Sequence, residues 1–238
     1  MKDRIPESVV VGKNVVIGNN VTIGFNVHIC NNVTIYDNVQ IGDNVYIWDN
    51  VVIGKVPMSV SSNCRKINKT QTPVIIGESS VIACGAVIYC GAKIGSNCLI
   101  SENVIMREDT ILQSNVIIGG NSLIQYGVSI DERTRVLNNS CVSSHASIGK
   151  NNFISLGFTT VSDRKFGDNG NGIYTYDENE VIGPRIGDNN HIGPNVTILS
   201  NIVVGNNNTI GACALVSKDI GSNGVFYGVP AKYIKENK

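Results

Sequence analysis

Along this chain a branched aliphatic residue returns at every sixth position. Val11, Ile17, Ile23, Ile29, Ile35, Ile41, Ile47 and Ile53 form a first block, and three places after each of the first seven stands Asn. A second block keeps phase over fourteen hexads, from Ile76 through Ile94, Leu112 and Ile130 to Ile154, and a third runs over six, from Ile186 to Val216. A period of six suits neither a helix of 3.6 residues per turn nor a simple alternating strand. A repeat this regular defines the architecture before any local propensity does.

Each hexad predicts one short strand and one corner. The aliphatic residue and the one four places later, usually Val, Ala, Ser, Thr or Cys, are suited to point inward. The chain turns three places after the aliphatic, where Asn and Gly best tolerate a positive φ. Three such sides close a triangular prism, and successive coils stack at about 4.8 Å. The repeats therefore predict an all-β fold, a parallel β-helix of about nine coils held mainly by contacts between neighbours. One domain is expected over 1–238, with hexads at 11–58, 76–159 and 186–221, loops at 55–75 and 161–185, and a C-terminal tail at 222–238. No stretch of ten or more residues has amphipathic helical spacing, which argues against an α/β fold.

Charge narrows the partners. Lys plus Arg and Asp plus Glu both number 19, a balance that argues against nucleic-acid binding, which draws on a basic surplus. No apolar run approaches the roughly 18 residues that span a bilayer. The opening stretch MKDRIPESVVVGKN has no apolar core of a signal peptide, so a cytoplasmic location is expected. Seven cysteines, odd in number and without a CxxC pair, read as reduced thiols.

The hexads, written [LIV]-[GAED]-x-x-[STAV]-x, and the ending IGACALVSKDIGSNGVFYGVPAK (210–232) resemble those of the hexapeptide-repeat acyltransferases. Nearly the whole chain shares the likeness. It implies a left-handed helix, a homotrimer, and acyl-CoA (acetyl-CoA or another) held in clefts between subunits. The stretch FTTVSDR (158–164) is similar to a loop of nucleotide-amino-sugar N-acetyltransferases. The resemblance thus implies an N-acyltransferase acting on a nucleotide-linked amino sugar for surface polysaccharide or related glycans. It also implies that Ala212 and Ala214 offer backbone N–H groups to the pantetheine arm. Lys218 and Lys232 are candidates to pair with the CoA phosphates, and no metal is expected.

The two interruptions of the period are rich in Ser, Asn, Gly and charge, and are expected on the surface. Counted in threes, the hexads at 88, 106, 124, 142 and 160 share one side, and both loops are expected to leave its corner. The corner stacks Cys90-Gly91, Glu108-Asp109, Tyr126-Gly127, Ser144-His145 and Ser162-Asp163. Asp109 and His145 then stand two coils apart, roughly 10 Å.

Acyl transfer from a thioester requires a proton acceptor for the nucleophile, and His has the pKa for it. Of three histidines, His28 and His191 precede an inward aliphatic and are expected on flat outer sides, whereas His145 sits at a corner. In the related N-acetyltransferases an HD or HE pair precedes Ile-Gly by two residues. Here, in SHASIG, Ser144 takes the place of that His, and His145 that of its acidic partner. His145, Glu108, Asp109 or the leaving thiolate therefore remain alternatives as proton acceptor. Tyr126, Ser144 and the loop residues Arg65, Lys66 and Arg164 are candidates for the acceptor and its nucleotide.

Three other readings fit less well. An O-acetyltransferase for a sugar, serine or antibiotic differs only in the acceptor. A hydratase like the γ-type carbonic anhydrases needs clustered histidines, and an ice binder needs Thr ranks and no long loops. A trimer is expected in each enzymatic case, because outward Val16, Tyr46, Val52, Ile105 and Ile117 leave apolar faces to hide.

Overall fold

A computed structural model describes residues 6–59, 67, 72–163, 179 and 181–237. The chain coils into three parallel sheets, one per side of a prism, and successive strands around the prism belong to successive sheets. Face 1 starts at Val10–Val11, face 2 at Val16–Ile17 and face 3 at Thr22–Ile23. Within blocks the register is 18 residues, as in Val10 with His28 and Leu123 with Cys141. The six-residue count therefore translates directly into strand pairing. Among the described residues no helix is long and apolar enough to cross a membrane.

The second residue of each strand enters the core. From Ile29 to Val216 these aliphatics are buried, as are the residues four places later, among them Val27, Val51, Ala92, Val128 and Ala214. The corner residue three places after the aliphatic has a positive φ except after Ile53, Thr160 and Val216, where the coil is interrupted or slips. At 23 such corners the residue is not glycine, and it is Asn in all but Ser79, Asp109, Arg133, His145 and Cys213. The Asn side chains form ladders between coils, for example Asn14 to Asn32 at 3.1 Å and Asn97 to Asn115 at 2.6 Å.

One inward column is polar, and that was not foreseen. Asn152, Asn190 and Asn208 are buried, and each Oδ1 accepts the backbone N–H of the next coil, ending at Gly224 at 2.8 Å. Asn190→Ala strips a buried acceptor from the Asn208 N–H and a donor from Gly187 O. Gly187 O keeps the Asn152 Nδ2 donor, so the Asn208 N–H is the group orphaned and the variant is expected to lose about 1–3 kcal/mol. A urea melt with an unshifted midpoint would refute this.

The helix is longer than about nine coils. Face 1 alone stacks eleven parallel strands, the last being Gly224–Tyr227, followed by the antiparallel Lys232–Glu236. The count fell short because the phase slips after Val216. Val204 bridges Ile220 and Thr209 pairs with Val225, a spacing of 16 in place of 18. Two residues are missing from that coil, so a six-residue scan stops there although the prism continues.

Candidate active site

The face 2 strands ending in Ile53, Ile88, Met106, Ile124, Val142 and Thr160 stack in that order. The corner they feed therefore carries Cys90-Gly91, Glu108-Asp109, Tyr126-Gly127, Ser144-His145 and Ser162-Asp163 on one edge. Both chain excursions leave from this edge. Cys90 N–H donates to Lys55 O and Gly91 N–H to Thr72 O, so the first lies between Lys55 and Thr72. Ile182 N–H donates to Ser162 O and Asn201 N–H to Ile182 O, so the second lies between Ser162 and Ile182. Four uninterrupted levels, at 90, 108, 126 and 144, remain between them.

These levels are not alike. At the corner position glycine alternates with a functional side chain: Gly91, Asp109, Gly127, His145. Each side chain leans over the preceding glycine. A Cβ on Gly127 would lie 2.6 Å from His145 Nδ1, and one on Gly91 would collide with Asp109 Oδ1. Both Asp109 and His145 hold φ near 57°, a conformation the fold otherwise gives mostly to Asn and Gly. Non-glycine residues held there against local preference concentrate at functional sites.

His145 is exposed, and its ring meets Tyr126 edge to face, with centroids 5.0 Å apart at 89°. Tyr126 and Ser144 are themselves buried. Beneath them Ser143 Oγ and Thr160 Oγ1 are 2.7 Å apart, and Thr160 Oγ1 also accepts the Ser143 N–H. That pair fixes the backbone entering the His145 turn. Glu108, by contrast, is buried and engaged through both oxygens by Arg107, at 2.9 and 3.3 Å. Accepting a proton there would break a charge-assisted pair. Of the two carboxylates only Asp109 is exposed.

Cys90 lies in the same stack. Burial chiefly, with Asp109 and Glu108 adding, pushes its thiol up, so it stays protonated at neutral pH and is a poor nucleophile. His28 and His191 both project from face 1, away from this edge. The three histidines do not converge.

Lys218 belongs to the same edge, three levels beyond Ser144, because Val142, Thr160, Ile198 and Val216 follow one another on face 2. It is exposed, as are Lys232 and Ala212. Ala214 departs from the expectation. Its side chain is buried, and its N–H closes the corner by donating to Gly211 O at 3.3 Å, so it is not an open donor. The same corner bond is made by Ala86, Val104 and Ala146, each four places after an inward residue. Arg65, Lys66 and Arg164 lie outside the described residues.

Sequence reasoning passed over Lys55, Tyr89 and Arg107. The Tyr89 ring has Lys55 Nζ 5.3 Å and Arg107 Cζ 4.8 Å from its centroid. A signal existed: aligned by hexads, Arg107 is the one charge in the rows flanking the inward aliphatics of face 2.

A three-sheet prism built on six-residue repeats, with mostly glycine or asparagine corners, is the form that hexapeptide repeats take, and two stretches of the chain match such a repeat family. The family model described as bacterial transferase hexapeptide (six repeats) matches residues 20–55 and 183–218. Among solved structures, the UDP-N-acetylglucosamine acyltransferase of Francisella novicida is 21% identical, with a TM-score of 0.54, over 98% of this chain and 66% of that one. This chain thus spans just under two thirds of that protein's length, and the likeness is one of fold. The UDP-N-acetylglucosamine acyltransferase LpxA of Bacteroides fragilis is 21% identical over 98% and 74% of the two chains, at 0.44. PerB of Caulobacter crescentus, in complex with CoA and GDP-perosamine, is 14% identical over 67% and 58%, at 0.36.

Proposed function

We propose that this protein is an acyltransferase that moves an acyl group, acetyl in the simplest case, from acyl-CoA to the amino group of a nucleotide-linked amino sugar. The observation that carries the reading is the setting of His145. An exposed imidazole is held in a left-handed corner over glycine, against buried Tyr126, on the last level before the second of two excursions of the chain from this edge. The repeat family, and an acyl acceptor that is a nucleotide sugar in the similarly folded Francisella novicida protein, support it.

In this reading His145 accepts the proton that the amine sheds as it attacks the thioester carbonyl. Neutral imidazole suits that task near pH 7. Asp109, two coils or about 10 Å toward the N-terminal end, orients the acceptor from below. Gly127 between them leaves a gap one coil deep. Lys218 and Lys232 are assigned to the phosphates of acyl-CoA, which when bound supplies an acyl group already activated as a thioester. Arg65, Lys66 and Arg164 are assigned to the nucleotide.

The test is a panel of nucleotide-linked amino sugars with acetyl-CoA, read as free thiol. Release of thiol with an amino sugar, and none with its hydroxy counterpart, is expected. The reverse preference would make the protein an O-acetyltransferase, and no release with either would end the proposal.

A homotrimer belongs to the same reading. Face 2 presents Val16, Thr34, Val52, Val87, Ile105, Leu123, Cys141, Thr159, Thr197 and Leu215 outward in one uncharged ladder. Tyr46 and Ile117 extend the apolar surface onto face 1. Packing of these faces hides them and places the His145 edge beside a neighbouring subunit. Light scattering is expected to give three times the 25.5 kDa chain mass. Leu123→Asp is expected to lower it, and a wild-type monomer at micromolar concentration would refute the trimer.

A further inference from the structure

Arg107 stands where a charge is costly. It is the only charged residue next in sequence to an inward aliphatic of face 2, Lys55 joining its row through the bulge that pairs it with Tyr89, and its side chain is 26% exposed. Yet it is rigidly built in. Glu108, 6% exposed at the side chain, grips Nε and one terminal nitrogen, and Tyr89 covers the guanidinium at 4.8 Å. A guanidinium carries five N–H donors, so three remain without an acceptor among the described residues. Lys55 reaches the same Tyr89 ring, at 5.3 Å, from the coil on its other side, which puts the two cations within about 10 Å of each other.

Glu108 is already spent on Arg107. Asp109 Oδ1 lies over Gly91, where a Cβ would also meet Thr72 Oγ1. A guanidinium preorganised by a carboxylate, with an ammonium across an aromatic ring, is a donor set for a planar-forked or bridging anion with several oxygens.

Position along the edge selects the anion. Arg107 lies two coils, about 10 Å, on the N-terminal side of the His145 level, and Lys218 lies on the opposite side. We propose that Lys55, Tyr89 and Arg107 form the seat for the diphosphate of the nucleotide-linked acceptor, one sugar residue away from the proton acceptor. The inference rests on the acyltransferase reading for the identity of the ligand. The seat itself, a diphosphate site, stands on the geometry. The acyl donor also carries a diphosphate, so the two sources have to be separated by experiment.

The full-length protein is titrated calorimetrically with inorganic pyrophosphate and, separately, with coenzyme A. Lys55→Ala and Arg107→Gln are each expected to weaken pyrophosphate binding at least tenfold while coenzyme A affinity stays within twofold. Lys55 is exposed, so its removal leaves the core intact should Arg107→Gln fail to fold. Unchanged pyrophosphate affinity in the Lys55 variant, or no binding to the wild type, overturns the seat. A parallel loss of coenzyme A affinity overturns the assignment to the acceptor. No acyl transfer is measured, so failure of the acyltransferase reading would leave these outcomes readable.

Discussion

His145→Ala is expected to lower kcat about 100-fold or more, the usual contribution of a positioned general base. The KM for acyl-CoA should barely move, because the imidazole acts on the proton of the acceptor and not on the mooring of the donor. The fold should survive: His145 is exposed, and the alanine inherits only the strain of its positive φ. Thiol release under saturating substrates measures the effect. A variant with full kcat would pass the role to Asp109 or to the departing thiolate, and would remove the reason for the imidazole's placement.

The second large effect is expected at a residue with no chemistry of its own. Gly127→Ala puts a methyl 2.6 Å from His145 Nδ1, closer than any contact tolerates, and the movable partner is the imidazole. The ring must swing off the edge. Displacement of a reacting group by about 1 Å can cost on the order of 100-fold, so kcat is expected to fall by 10- to 100-fold. Stability should drop by only about 1–2 kcal/mol, the price of a left-handed alanine. Gly157→Ala is the control. It carries a similar φ, 71° against 66°, but its methyl meets Asn195 at a different corner, so it shares the backbone cost without touching His145. Equal activity losses in the two variants would show that the backbone alone is responsible.

Both expectations depend on a corner that could be located before any coordinates. Strands 18 residues apart pair in a triangular solenoid, so side chains separated by 18 or 36 share an edge wherever the phase holds. The grouping of Asp109, Tyr126, Ser144 and His145 follows from that arithmetic. What it did not reveal was the difference between neighbours. Glu108 and Asp109 are adjacent and both acidic, yet one is buried under Arg107 and the other stands in the open. Likewise Ala212 and Ala214 look interchangeable in the sequence, but one is exposed and the other closes a turn.

The hexad pattern by itself determined the coil, the inward columns and the left-handed corners, because these depend on local sterics repeated every six residues. Tertiary structure alone decided the rest. It decided how far the prism continues past Val216, since a two-residue deletion destroys the phase but not the stacking of Phe226 on Ile210. It turned Asn152, Asn190 and Asn208 from ordinary polar residues into a buried ladder, because only the coil above offers their oxygens an amide. It also brought Lys55 to the Tyr89–Arg107 pair, across an excursion and a bulge that change the Lys55–Tyr89 offset from 18 to 34. A periodic sequence encodes what each residue does within its own turn; which side chains meet between turns depends on the insertions and slips that the period does not contain.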